Sequence, residues 1–517
     1  LSRENQQQPR LDPRSSGAAT AIEPDSPPVA GVVVEEVDAL ATSEGAIRSG
    51  KLAGKTMWQA IWILALPVLL QQTLQACVGL VDKMLAGNLP RSIVVPAMDA
   101  IGIGSYVGWL IGVAMAGLGI GGQALIARAI GAGDPQRGGA ALGQALVLSV
   151  WWGALVGVVM WFGAGTLANI CELTPEASAY CVQYVRMLAV AMPCTGVVMV
   201  GSMCLHGAGE TTKPSLIAVG INIVNIVFAY AFSGVDITIS GYTLLNPFPF
   251  DWHVVGIAAG AAMSAVFGAG ATLWVLFRGV KDLRLEWRHM RLHREVAGRI
   301  ISLGVPNFFE GLAMWGVNLF VLIFIGEIAK RGIENGGGEG LQGAHIIAVQ
   351  WEALAFLPGF AMGTAAGALA GQFLGAGNPR MAQKSVLACL AVACAIMGFM
   401  GVLFMTAGAT LTKVISSEPV HLQHVPRLLF ICGTVEVLFA AALVFRQALR
   451  GTGDALWPFI ITTLSSYLVR LPLAWYFGVH LGWGIEGVWI GLCTEVVVRA
   501  AMFSARFFHG GWKRIRL

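Results

Sequence analysis

Two punctuated stretches occur twice in this chain, each time 244 residues apart. Gly131-Ala132-Gly133-Asp134-Pro135 returns as Gly375-Ala376-Gly377-Asn378-Pro379. Leu205-His206-Gly207-Ala208-Gly209-Glu210, with Pro214 beyond it, returns as Leu449-Arg450-Gly451-Thr452-Gly453-Asp454, with Pro458. Glycine and proline mark turns in any protein, but chance does not readily give one offset at two independent places. The chain is therefore read as one unit written twice.

The unit is apolar. Of 517 residues, 56% are hydrophobic and 12% charged, about half the charged share of a soluble domain. Runs long enough to cross a hydrocarbon core of about 30 Å recur along the chain. Twelve spans are expected, at 58–84, 99–127, 138–165, 178–205, 214–232 and 254–277, then 298–326, 344–373, 381–411, 427–449, 457–478 and 485–508. Helices are the default, because backbone groups in lipid must be satisfied within the segment. Glycine- and alanine-rich faces such as Gly112–Gly117, Gly256–Gly260 and Gly363–Gly367 let such helices approach closely. The fold class is all-α integral membrane, in two six-helix repeats. The expected organisation is a disordered tail over 1–50, an N-lobe over 51–285 and a C-lobe over 286–517. The tail is polar and proline-containing, without a signal-peptide pattern. The nine cysteines are scattered and read as small buried residues, with Cys171 and Cys181 the only candidate bridge.

Basic residues set the orientation. Arg278, Lys281, Arg284, Arg288, Arg291, Arg294 and Arg299 crowd the connection between spans six and seven. Arg137, Lys213, Arg380, Lys384, Arg450, Lys513, Arg514 and Arg516 lie at connections of the same parity. The positive-inside rule then places both termini and the 278–299 linker in the cytoplasm, with the chain in the plasma membrane. Six spans per half is even, so the repeats are parallel, and a duplicated membrane unit is the usual build of a secondary transporter. Anionic lipid headgroups explain the basic linker better than nucleic acid does. His289 and His293 stand four apart in that linker, but no third ligand accompanies them, so no metal site is expected.

Polar groups inside spans are costly and carry the functional expectations. Gln71, Gln75 and Asp82 fall near one stripe of the first span. Asn222 and Asn225 in the fifth span and Ser264 in the sixth offer amide and hydroxyl oxygens. The second half carries Glu310, Glu352, Glu436, Arg470, Glu495 and Arg499 within its spans. Glu495 and Arg499, at i and i+4, can pair on one helix. Glu310 and Glu436 have no such local partner, and a lone buried carboxylate holds a proton or cation because a bare charge there is costly. There is no Gly-x4-Gly-Lys-Ser/Thr loop, no His-Glu-x2-His and no Gly-x-Ser-x-Gly. An ion gradient is the expected drive, not a nucleotide, an enzyme's chemistry or a cofactor. One charge crossing about 100 mV releases about 2.3 kcal/mol, which sustains roughly a fifty-fold gradient.

Leu66-Pro67 through Val81-Asp82 with Ala86-Gly87, Gly131–Pro135, Phe356-Leu357-Pro358-Gly359-Phe360, Gln372–Pro379 and Leu449–Asp454 stand in order along residues 57–508. In this set the chain resembles the multidrug and toxic compound extrusion (MATE) family. The resemblance implies two six-helix lobes forming a V-shaped cleft. It also implies efflux of amphipathic, often cationic compounds in exchange for inward protons or sodium ions. It implies cation coupling at Asp82, and Asn225 matches the Asn of a fifth-span Asn-x3-Asp pattern whose Asp position is here Ala229, which cannot ligate. Glu310 and Glu436 join the cation-coupling candidates on the residue argument alone, and Gln71, Gln75, Ser264 and Glu352 are the cleft-lining candidates. A monomer is expected, with small-molecule substrates and membrane lipids as partners. The competing assignment is a lipid-linked oligosaccharide flippase, which needs a basic cleft supplied by Arg446, Arg470 and Arg499.

Overall fold

The computed structural model describes residue 47 and residues 51–515, except 91–92, 171–173, 240–241, 282, 335–339 and 417. The expected tail over 1–50 therefore lies outside the described residues, apart from Ile47, which is buried in a core. The first half contains α1 (Met57–Gly87), α2 (Val94–Ala132), α3 (Pro135–Ile170), α4 (Pro175–Val190), α5 (Met192–Gly207), α6 (Thr212–Ser233) and α7 (His253–Arg278). The second contains α8 (Arg294–Glu334), α9 (Leu341–Gly375), α10 (Pro379–Ile415), α11 (Pro419–Gly433), α12 (Glu436–Gly451), α13 (Leu456–Ser465), α14 (Leu471–Trp475) and α15 (Gly484–His509). A hairpin of β1 (Ile237–Ile239) and β2 (Tyr242–Leu244) joins α6 to α7 and is the one departure from the all-α expectation among the described residues.

Among the described residues, ten segments are long and apolar enough to cross a membrane as single spans, and two bent pairs bring the total to the expected twelve. The fourth span breaks between α4 and α5 by 55°, and the tenth between α11 and α12 by 57°. Both breaks fall at the same place in the repeat, and Pro193 stands just inside α5. The eleventh span is also irregular, with π-helical turns at Ser466–Arg470 and Tyr476–His480. Such turns re-aim side chains inside a helix.

The twice-written motifs are helix punctuation. Gly133 (φ 76°) and Gly377 (φ 80°) adopt the left-handed conformation that ends α2 and α9. The Asp134 and Asn378 side chains then accept from the amides of Arg137 and Met381 at 3.0 and 3.1 Å, capping α3 and α10. The prolines that follow occupy the first turn, where no backbone donor is missed.

The same motifs hold the lobes together. A Cβ added at Gly131 would stand 1.9 Å from the carbonyl oxygen of Gln372, and one at Gly375 would stand 2.2 Å from that of Arg128. Residues 128 and 131 map onto 372 and 375 by the repeat offset, so the contact is reciprocal about a pseudo-two-fold axis. Gln372 Nε2 donates to the Gly207 carbonyl at 2.9 Å, and the Arg128 guanidinium donates to the Thr452 and Ile515 carbonyls at 3.2 and 3.0 Å.

Two further contacts cross the seam. The start of α1 (Ile61, Leu64) is buried in a core with Leu369 and Leu443. The start of α8 (Ile300) joins the first-lobe core around Leu142 and Val200, with Gly304 against Gly117. Each lobe thus lends its first helix to the other's core. Toward the N-terminal halves of α2 and α9, the cores are formed within one lobe only. The result is a V-shaped central cleft closed at the glycine seam. Gly131→Val should overpack that seam by about 1–3 kcal/mol. The melting temperature of the purified protein should fall, while Gly108→Ala, with open space around it, should leave it unchanged.

Candidate functional site

Among the described residues, few charged side chains lie in the first-lobe interior. Asp82, in the last two turns of α1, is 8% exposed and makes no ion pair among the described residues, and its Oδ1 has no hydrogen-bond partner. Its polar neighbours are Asn225 of α6 and Tyr184 of α4. Asn225 is fully buried, and neither end of its amide is held in a close hydrogen bond. The amide is free to turn either its oxygen toward a cation or its nitrogen toward the carboxylate. Gly104 makes room for Tyr184, since a Cβ there would stand 2.3 Å from the ring. Ala229 is buried where α6 meets Gly260 of α7 and offers no oxygen. Among the described side chains, the first-lobe site is therefore one carboxylate, one amide and a phenol.

The other first-lobe candidates do not join it. Ser264 donates to the Ala261 carbonyl and Asn222 to that of Ala218, each on its own helix. Gln71 has a buried Oε1 without a partner. The Gln75 side chain and Cys171 lie outside the described residues.

The second-lobe interior holds four arginines and four glutamates. Glu310 on α8 is the main correction to the sequence reading: it is not a lone carboxylate. Arg450 donates to its Oε2 at 2.5 Å, and Arg446 approaches Oε1 at 3.6 Å. The partners come from α12, so sequence spacing on α8 could not reveal them. Glu495 is held by Arg499 at 2.6 Å and Arg470 at 3.2 Å, and it accepts from Ser465 at 2.5 Å. The expected i, i+4 pair is thus present, and the π-helical turn adds Arg470 to it. Glu352 and Glu436 remain without an ion pair among the described residues. Glu436 is fully buried at the first residue of α12, beyond the 57° break. The Cys432 thiol donates to its Oε1 at 3.4 Å, and Oε2 has no partner.

A cavity of about 480 Å³ opens beside these groups, between α8, α9, α11, α12 and α15. Glu352, Arg446, Arg470 and Arg499 line it, together with aromatic and aliphatic side chains. His345 and Trp489 line it too, and Trp489 Nε1 donates to His345 Nδ1 at 3.2 Å. The sequence reading missed His345, Trp489, Tyr184 and the pairing roles of Arg446 and Arg450. Only the helix packing brings them to these positions. No three His, Cys, Asp or Glu side chains gather as a metal site among the described residues. Around His289 and His293 the backbone is instead pinned to α3. Buried Gln144 donates to the His289 carbonyl at 2.8 Å and accepts from the His293 amide at 2.9 Å.

A two-lobed helical bundle with unpaired acids in each lobe and a glycine seam at one end of the cleft is the build of a membrane transporter, not of an enzyme. The MatE family model matches residues 67–231 and 306–476, one match in each repeat. The chain belongs to the MatE family.

Among its relatives is the probable multidrug resistance protein NorM of Thermotoga maritima, 24% identical over 452 residues, covering 87% of this chain and 92% of that one. The multidrug resistance protein PmpM of Pseudomonas aeruginosa is 24% identical over 464 residues, covering 88% and 91%. The fold is similar to that of a MATE structure in the bent conformation, with a TM-score of 0.78 at 21% identity over 89% of this chain and 96% of that one. It is also similar to the outward-facing conformation of a multidrug resistance MATE family transporter, with a TM-score of 0.77 at 22% identity over 92% and 100%.

Arg450→Ala should strand Glu310 in a buried site and cost about 3–5 kcal/mol. Arg450→Ala combined with Glu310→Gln should recover most of that loss. A double-mutant cycle of thermal melts reads the coupling.

Proposed function

We propose that the chain is a secondary active efflux antiporter of the plasma membrane. It exports amphipathic or cationic organic compounds in exchange for inward protons or sodium ions. Asp82 is its chief ion carrier, with Asn225 as the adjoining amide. The observation that carries this reading is the isolation of Asp82: a buried carboxylate with no ion pair among the described residues. A carboxylate in that position needs a positive guest, and several guests can satisfy it. The multidrug names of the relatives support an amphipathic cargo.

Exchange follows when a proton or sodium ion and the organic cation cannot occupy Asp82 together. The glycine seam supplies the pivot, because α2 and α9 touch there through bare backbone. The positive-inside pattern supports cytoplasmic termini and, with them, a seam on the cytoplasmic side and a cleft that opens outward. The chain works as a monomer in this scheme, since each copy carries both lobes and a complete cleft.

Glu352 and Glu436 form a second acidic pair whose protonation would follow the same logic, whereas the two arginines on Glu310 already satisfy it. The flippase alternative is weaker. Arg470 and Arg499 share Glu495, and Arg446 pairs with Glu310 beside Arg450, so the cavity is less positive than a lipid pyrophosphate requires.

Asp82→Asn should leave the protein folded and abolish gradient-driven export. The assay is uptake of a fluorescent organic cation into inverted proteoliposomes, energised in turn by a pH gradient and a sodium gradient. One of the two gradients should drive the native protein. Native-level transport by Asp82→Asn would reject the role of this residue.

A further inference from the structure

Arg446 is the unusual side chain of the second-lobe cavity. It lines the cavity with its side chain only 16% exposed. It makes no hydrogen bond among the described residues, and its Nε has no acceptor. Arg450 bonds Oε2 of Glu310 at 2.5 Å, whereas Arg446 stands 3.6 Å from Oε1, an ion pair beyond hydrogen-bond reach. The other two cavity arginines differ, since both hold Glu495. A buried guanidinium with idle donors is costly unless a ligand supplies the acceptor.

The rest of the wall says what that ligand looks like. Phe439, Leu443 and Arg446 stand at i, i+4 and i+7 on α12, and all three face the cavity. The stripe runs from an aromatic ring to a guanidinium over roughly 10 Å. Phe356 of α9 faces Phe439 with ring centroids 6.0 Å apart, which widens the aromatic end. A planar guanidinium fork matches a carboxylate with two parallel hydrogen bonds. Glu352 in the same lining disfavours a second negative charge.

We propose that this cavity binds an aromatic amphiphile carrying a single carboxylate, with Arg446 as the carboxylate receptor and the Phe356–Phe439 wall holding the ring. As a statement about cargo the inference rests on the export reading above, but binding itself does not. The first lobe offers a carboxylate, and the second a guanidinium whose hydrogen-bond donors are unused among the described residues.

The test uses the purified full chain in lipid nanodiscs, with no gradient imposed. The probes are dansylglycine, a fluorescent aromatic monocarboxylate, and its uncharged methyl ester. Dansyl emission should rise on binding, and the acid should bind about tenfold to a hundredfold more tightly than the ester. Arg446→Met should erase that preference. Arg446→Lys keeps the charge without the fork and should lose most of it, which serves if Arg446→Met does not fold. An ester that binds as well as the acid would overturn the proposal, and so would a preference unchanged in either variant. The two readings fail separately. Absent binding here leaves export through Asp82 standing, and failed export with intact binding leaves this site standing.

Discussion

Everything in this molecule turns on how closely α2 and α9 approach. At Gly131 and Gly375 each helix rests on a backbone carbonyl of the other, at distances that no side chain would allow. Glycine is weak in a helix interior and is retained here because only a bare backbone fits. The seam is polar as well as tight, since Gln372 and Arg128 reach across it to backbone carbonyls of the opposite repeat. A contact of this kind has two faces. It is specific enough to close one end of the cleft, and small enough to open when the lobes rock.

The two halves share a frame but not their chemistry. By the repeat offset, Glu436 falls on Met192, Glu310 on Leu66 and Arg470 on Ile226. These three charges have no charged counterpart in the first lobe. Buried ion pairs seldom add stability over apolar packing, and breaking one is expensive. The Glu310 and Glu495 clusters are therefore fixed points that the second lobe is built around. Asp82 is the opposite case: a buried acid in an apolar bundle, with no ion pair among the described residues. Paired charge on one side and an unpaired acid on the other is an asymmetry suited to the proposed coupling.

Much of this was legible in the sequence. The 244-residue offset gave the two lobes, and the apolar runs gave the spans. The Gly-x-Asp/Asn-Pro pieces marked turns whose cap geometry is now visible. What stayed hidden was whatever depends on contacts between helices. Glu310 looked solitary because its arginines lie on α12, some 140 residues away. The breaks at Ala191 and Thr434 were hidden because local apolarity continues straight through them. The Glu495–Arg499 pair was legible because it lies on one helix, whereas Arg470 joins it only through a π-helical turn. Ser264 and Asn222 looked like site oxygens, and the structure shows each donating to a carbonyl on its own helix.

The central claim is that an organic cation and a coupling ion compete for one carboxylate. Equilibrium binding of tetraphenylphosphonium to the purified protein, followed as proton and sodium concentrations are varied in turn, tests this most directly. Affinity should weaken as the coupling ion rises, and that dependence should vanish in Asp82→Asn. The same ion dependence persisting in Asp82→Asn would contradict the account.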